Sequence, residues 1–247
     1  MATVKKTELL IGTSGWSYDG WRGSFYPEDI PKRCWLQYYA SVFSSAEING
    51  SFYRTPSLEA VKGRWRDETP SDFTYAWKAS KFITHWKRLT PKCRNSIALM
   101  KTRLKALGPK AAVVLFQLPP QFGKDEPRLR SFLKMLPNQY RYAFEFRDPA
   151  WYENEVLRTL AERDVALCIS DHHDAPAPFE VTAGHVYLRG HGPGGKYRGS
   201  YPNKTLDRWA EYVKKWRRQG RDVFVYFDND QKAAAPRDAV RLMSRLE

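Results

Sequence analysis

Glu145 and Arg147 stand two residues apart in the run YAFEFR (residues 142–147), with Tyr142, Phe144 and Phe146 on the alternate positions. In a strand, period-two spacing puts the charged pair on one face and the aromatics on the other. The same sorting isolates Glu47 and Asn49 in SAEIN, Lys78 and Ser80 at the end of FTYAWKA, and Gln117 in AVVLFQ. It also isolates Tyr187 and Arg189 in HVYLR and Tyr226 and Asp228 in VFVYFD. Glu47, Glu145 and Asp228 are candidate catalytic groups, able to act as general acid and base once neighbours tune their pKa values. Lys78, Arg147 and Arg189 could hold a phosphate or carboxylate, the arginines through their planar fork. Asn49, Gln117 and Asn229 add polar groups for the same anion. Three acids against three bases also describe compensating ion pairs, although buried charge is costly to keep for stability alone.

The loops offer further chemistry. HGPGGKYRG, residues 191–199, follows the HVYLR run and brings His191, Lys196 and Arg198 into a glycine-rich segment. Glycines let backbone N–H groups approach an anion, and the two cations add charge. An ordinary flexible loop is the competing reading, since Walker-type spacing is missing. Residues 13–32 carry Trp16, Tyr18, Trp21, Phe25 and Tyr26, while Phe52, Tyr53 and Trp151 follow two other runs. Trp16, Tyr18, Tyr53 and Trp151 are candidates for stacking on bases or sugars. A loop this long could instead pack its aromatics into a core of its own.

Other chemistries fit less well. A divalent metal could use Glu47, Glu145, Asp171, His172 and Asp228 with His85 or His191, but no compact motif such as His-Glu-x-x-His occurs. The interspersed Lys and Arg would compete for those carboxylates, so no metal ligand is assigned, and the cofactor is left unknown. Ser14, in TSGW, lacks the flanking pattern of a nucleophile elbow, and Cys168 reads as a small core residue mid-strand. Many barrel glycosidases draw their paired carboxylates from strands four and seven, where this chain has Gln117 and Arg189.

The elements that must position these residues are eight strands, near 8–12, 45–49, 73–79, 112–117, 142–147, 166–170, 185–189 and 223–228. Helical segments separate several of them. Thr90-Pro91 opens one, Ile97, Leu104 and Leu107 form its apolar stripe, and Gly108-Pro109 stops it. Thr55-Pro56 starts another with Leu58, Val61 and Trp65 on one face. Leu206, Trp209, Val213 and Trp216 line a third, ending at Gly220. Strands alternating with helices imply parallel pairing, and eight units close an α/β barrel of the (β/α)8 TIM type. A doubly wound open sheet is the alternative. The charged inward positions then collect at the C-terminal mouth, where barrel enzymes place their chemistry. No linker divides residues 1–247, so one domain is expected.

Hydrophobic residues at 42% and aromatics at 15% suffice for a large core and exclude a disordered chain. No stretch approaches a membrane span, and the opening residues lack the apolar segment of a secretory leader. Cys34, Cys93 and Cys168 are odd in number and far apart, which points to a reducing, cytoplasmic setting. The net charge of +14 is uneven. Residues 78–110 hold ten Lys or Arg and no acid, and residues 189–221 hold ten against Asp207 and Glu211. Such blocks suggest an anionic partner, a phosphorylated metabolite or nucleic acid, or equally a solvated helix face.

The same strand ends carry a family pattern. IGTSGWSYDGWRGSFYP, FSSAEINGSFYRTP, FTYAWKASKFITHWKRL, LFQLPPQF, FEFRDPAWY, YLRGHGPGGKYRGSY and VYFDND occur in order from about residue 9 to the last helix. Together they resemble the YecE-like family, domain of unknown function 72. The resemblance implies a TIM-type barrel and supplies no reaction.

Three functional readings follow. The first is an enzyme acting on a phosphate-bearing substrate, nucleic acid included, at the barrel mouth. The second is a non-catalytic nucleic-acid-binding module using the basic blocks and aromatic loop. The third is a metal-dependent hydrolase or isomerase.

Overall fold

The computed structural model describes residues 7–247; the reading of the opening segment as free of a secretory leader falls largely on residues 1–6, outside the described residues. Eight parallel strands are present: β1 Leu9–Thr13, β2 Ser45–Ile48, β3 Thr74–Lys78, β4 Ala111–Gln117, β5 Tyr142–Glu145, β6 Val165–Ser170, β7 His185–Gly190 and β8 Asp222–Phe227. From β2 to β8 each strand is hydrogen-bonded to the next in sequence, and β1 pairs with β8. The sheet therefore curls into a nearly closed barrel, as the alternation of strands and helices implies.

The closing seam lies between β1 and β2. There the backbone pairing shrinks to a bridge between Ser14 and Glu47 just past the end of β1. Below it, the Tyr39 hydroxyl takes the place of a ladder rung: it accepts from Thr13 N at 2.8 Å and donates to Ser45 O at 3.1 Å. Gly12 is what lets the strands meet, because a Cβ at that position would fall 2.0 Å from Ser45 O.

Strand alternation sorts the core into two. Outward side chains such as Tyr75, Trp77, Val114, Phe116, Phe144, Leu167, Leu188 and Val225 pack against the surrounding helices. Inward, Leu10, Ala76, Leu115, Ala143, Cys168 and Phe224 belong to a second, smaller apolar cluster. Full burial of a large apolar side chain stabilises by about 1.5–3 kcal/mol, so the outer layer dominates the folding energy.

Among the described residues seven α-helices flank the sheet: α1 Trp35–Val42, α2 Gly50–Tyr53, α3 Arg94–Leu107, α4 Glu126–Leu133, α5 Asn154–Ala161, α6 Asn203–Arg218 and α7 Ala234–Met243. In α6, Leu206, Trp209, Val213 and Trp216 are all buried, and Gly220 ends the turn at φ 77°. α3 ends on Gly108 at φ 61°, again where the sequence places the stop.

Two features depart from the sequence reading. The helix expected after Thr55-Pro56 widens into a π-helix, Ala60–Arg66, with Val61 buried and Leu58, just before it, exposed. Residues 171–184, between β6 and β7, contain no helix. The two basic blocks also separate: α3 packs beside β4 and α6 beside β8, four strands away, so they lie on opposite sides of the barrel.

Candidate functional site at the barrel mouth

Arg189, at the end of β7, is fully buried and central. Its Nε lies 3.0 Å from Glu47 Oε2, and its Nη2 reaches Glu47 Oε1 at 2.6 Å, Ser14 Oγ at 2.8 Å and Asp228 Oδ2 at 3.0 Å. Nη1 donates to Glu145 Oε2 at 3.2 Å and to His191 Nε2 at 3.0 Å. One guanidinium thus gathers all three candidate carboxylates, which β2, β5 and β8 deliver from separate sides. Tyr187 OH donates to Glu47 Oε2 at 2.6 Å, and the Ser14 hydroxyl donates to Oε1.

The other two cations are less well matched. Arg147 Nη2 contacts Glu145 Oε1 at 2.6 Å and His191 Nε2 at 3.2 Å, but its Nε is buried without a hydrogen-bond partner. The Lys78 ammonium, on a side chain 5% exposed, donates to Asn49 Oδ1 at 3.2 Å and lies 4.7 Å from the centre of the Phe52 ring. Among the described residues Lys78 makes no ion pair within 4.0 Å.

These surroundings set the protonation states. Desolvation raises the Glu47 carboxyl, but Arg189 outweighs it and holds the group below its ordinary value. Glu145 behaves likewise, desolvation being overcome by Arg147 and then Arg189. For Asp228 desolvation wins over Arg189 and Lys78, lifting the carboxyl to about 6. Desolvation, followed by Arg189, brings Lys78 down to about 8. His191 is pushed well below its ordinary value by burial, and its geometry agrees. Its Nε2 faces two guanidinium groups and must accept, so the ring is neutral with its proton on Nδ1, 3.4 Å from Asp171 Oδ1. His172 and His85 fall to about 4, through desolvation and then Arg147 for the first, Lys78 for the second.

The other residues singled out from the sequence are spread more widely. Gln117 ends β4 in register with Glu145 and is half-buried. Asn229 spends its amide on Gly199 O at 2.7 Å and Asp238 Oδ2 at 2.9 Å, tying down the loop after β7. Lys196 and Arg198 lie exposed on that loop, and Gly195 is needed there, since at φ 68° a Cβ would meet Asp171 O at 2.3 Å. Trp16, Tyr18, Asn49 and Tyr53 line one cavity of about 400 Å³ together with Arg64 and Trp65. Trp151 is elsewhere. It is wholly buried, stacked on Phe146 at 4.8 Å and 3°, with Nε1 donating to Phe122 O at 2.6 Å, and it offers no face to a ligand.

Of the residues weighed as metal ligands, Glu47, Glu145 and Asp228 all face Arg189. Among the described residues three metal-type ligands come together at His172, His173 and Asp174, consecutive on the β6–β7 loop and two of them exposed.

Three participants fall outside the site residues assigned from sequence, Ser14 having been weighed there only as a nucleophile. Ser14 and Ser170 continue the inward faces of β1 and β6, so extending the period-two sorting to those strands finds them. Ser170 Oγ donates to Glu145 Oε1 at 3.3 Å. Tyr197 lies on the glycine-rich loop at φ 63° and covers the mouth, its ring 4.9 Å from His191 and 5.9 Å from the Arg147 guanidinium. No periodicity marks it.

Comparison with known proteins agrees with the family pattern. The chain is 31% identical over 169 residues to the UPF0759 protein YecE of Escherichia coli, a stretch that covers 66% of this chain and 59% of that relative's length. It is 26% identical over 271 residues to the UPF0759 protein YunF of Bacillus subtilis, covering 97% and 95%. A solved DUF72 family protein of Thermotoga maritima superposes with a TM-score of 0.87 at 25% identity, covering 97% of this chain and 99% of that one. A second, from Enterococcus faecalis, gives 0.80 at 20% identity, covering 96% and 95%, and supports the fold alone. The family model described as "Protein of unknown function DUF72" matches residues 10–247, and the chain belongs to that family.

Proposed function

We propose that the mouth binds a phosphate-bearing substrate between Lys78 and Arg147 and moves a proton through Asp228. The observation that carries this reading is the uneven sharing of charge. All three carboxylates are drawn onto Arg189, which leaves a buried ammonium with no ion pair among the described residues and a buried guanidinium with a free Nε. A desolvated cation is stabilised strongly by a charge-assisted partner, and phosphate supplies one. Asp228, lifted to about 6, is the carboxyl best matched to proton transfer near neutrality, whereas Glu47 and Glu145 serve as fixed negative charge. The cavity of about 400 Å³ beside Asn49 has room for the rest of a small substrate.

The test is calorimetric titration with inorganic phosphate and ribose 5-phosphate at low salt. Lys78→Met and Arg147→Met should each weaken binding about tenfold or more, in line with the cost of removing one buried charged partner. Binding of neither compound to the wild type, or equal binding by the variants, would overturn the reading.

A metal-dependent hydrolase or isomerase is less well supported, because its carboxylates would have to leave Arg189. The non-catalytic nucleic-acid module predicts binding that ignores Asp228→Asn and Arg147→Met and falls steeply with salt. The free cysteines Cys34, Cys93 and Cys168 favour a reducing, cytoplasmic setting, and recovery of the native protein from a secreted fraction would contradict that. No described helix is long and apolar enough to cross a membrane.

A further inference from the structure

The most exposed aromatic side chains are not on the aromatic-rich loop after β1, where Trp21 and Tyr26 are buried and Tyr26 stacks on Trp35 at 4.5 Å. They are Tyr53 at 66%, Trp86 at 62% and Phe82 at 44%, on the segments after β2 and β3. The Phe82–Trp86 turn is a π-helix, with Lys87 N donating to Phe82 O at 2.9 Å. Ile83 and Leu89 pin it from inside, both essentially fully buried. Arg88 and Leu89 then take φ 43° and 60°, a left-handed conformation that residues with side chains seldom adopt. The backbone just past the turn is held in an unfavourable shape, and within the turn Phe82 and Trp86 stand exposed with ring centroids 4.2 Å apart.

Lysines thread these rings. Lys81 Nζ lies 5.5 Å from both the Tyr53 and the Trp86 centroids, and Lys87 Nζ lies 5.9 Å from that of Phe82. Residues 78–110 contain no acid to neutralise them. A cleft of about 260 Å³ adjoins the patch, lined by Thr55, Ser80, Phe82, Lys87, Ser96 and Leu99. Phe52 joins the patch to the mouth, its ring 5.1 Å from Tyr53 and 4.7 Å from Lys78 Nζ.

We propose that Tyr53, Phe82 and Trp86, with Lys81 and Lys87, form a docking surface for single-stranded nucleic acid that leads to Lys78. Unpaired bases present faces that stack on exposed rings, while their phosphates meet the lysines. A duplex hides those faces and would gain only the charge. This names the class of substrate for the mouth and rests on the preceding section only for the end at Lys78.

The experiment is anisotropy of a labelled oligothymidylate of about 12 nucleotides, within the span of a typical single-strand site. A duplex of equal length and vesicles containing anionic phosphatidylserine are run in parallel. Wild type should prefer the single strand, with affinity falling steeply as salt rises. The Phe82→Ala/Trp86→Ala variant, which removes two exposed rings outside the mouth cavity, should bind it about tenfold or more weaker. No single-strand binding at low salt, a duplex preference, an unaffected variant, or ring-dependent attachment to vesicles instead would each overturn the proposal. Inorganic phosphate binding separates the two readings: phosphate bound by the wild type and the double variant but lost in Lys78→Met, with no strand binding, leaves the mouth alone, whereas strand binding that the double variant weakens, with no phosphate bound by any form, leaves the patch alone.

Discussion

Arg189 and Glu47 lie side-on at the centre of the barrel, Nε to Oε2 at 3.0 Å and Nη2 to Oε1 at 2.6 Å, and neither has any exposed side-chain surface. Because the same guanidinium also holds Asp228, replacing it leaves two carboxylates without a cation in a dry interior, Glu145 alone keeping Arg147. Arg189→Met should therefore destabilise the protein by about 3–5 kcal/mol, the usual cost of leaving a buried charge unpaired. Urea denaturation near neutral pH measures this, and a loss under about 1 kcal/mol would show that water reaches the site.

Asp228→Asn tests the raised carboxyl. A folded-state value of about 6 against an ordinary 3.8 means the native protein holds the proton more tightly than the unfolded chain. Stability contributed by that proton is complete below about 4 and is lost as pH rises through 6. The variant should thus gain on the wild type between pH 4 and 6.5 and hold a constant difference above. A difference that does not change with pH would mean that Asp228 is not desolvated as described.

Lys78, at about 8, is partly neutral in mildly alkaline solution. An anion that binds beside it raises that value, so binding at pH 8.5 should take up protons. Calorimetry of phosphate binding in buffers of different ionisation enthalpy reads the uptake directly. Affinity should fall as pH rises past 8, and the uptake should vanish in Lys78→Met. Proton release would require a different titrating group.

Asp238 is buried in the middle of α7 and clamps the loop after β7. It accepts from Tyr201 N and from Asn229 Nδ2, both at 2.9 Å, and pairs with Arg241 at 2.7 Å. Asp238→Ala leaves those donors unsatisfied, at about 1–3 kcal/mol. Limited trypsin digestion should then cut first at Lys196 or Arg198, exposed on the freed loop. Cleavage that starts elsewhere would mean the clamp does not hold that segment.

The charged centre is readable from sequence because strand alternation is rigid. Once Phe144 and Phe146 must face the helices, Glu145 and Arg147 have only the inside left. How the charges divide is not readable, since it depends on strand order: only in the closed barrel can one β7 side chain reach carboxylates from β2 and β5 at once. Aromatics in loops are harder still. Trp151 and Trp86 each follow a strand by a few residues, yet one stacks on Phe146 and the other stands in solvent, and no spacing separates them. A π-turn has no periodic signature, so the outward set of Phe82 and Trp86 becomes visible only with coordinates.

The Tyr39 hydroxyl that replaces a rung between β1 and β2 makes the ring a belt with a buckle. Everywhere else the circumference is stitched by repeated backbone pairs, so parting it costs many bonds at once. At the buckle, one phenol, one backbone bridge and the Ser14–Glu47 side-chain hydrogen bond hold the ends. Amide exchange at Thr13 should accordingly outpace that of the central strands, because opening here needs no wider melting. That bridge includes Glu47 itself. The first breath of the barrel therefore admits water to the charged centre, and ligand retention should fade on warming before helical signal does.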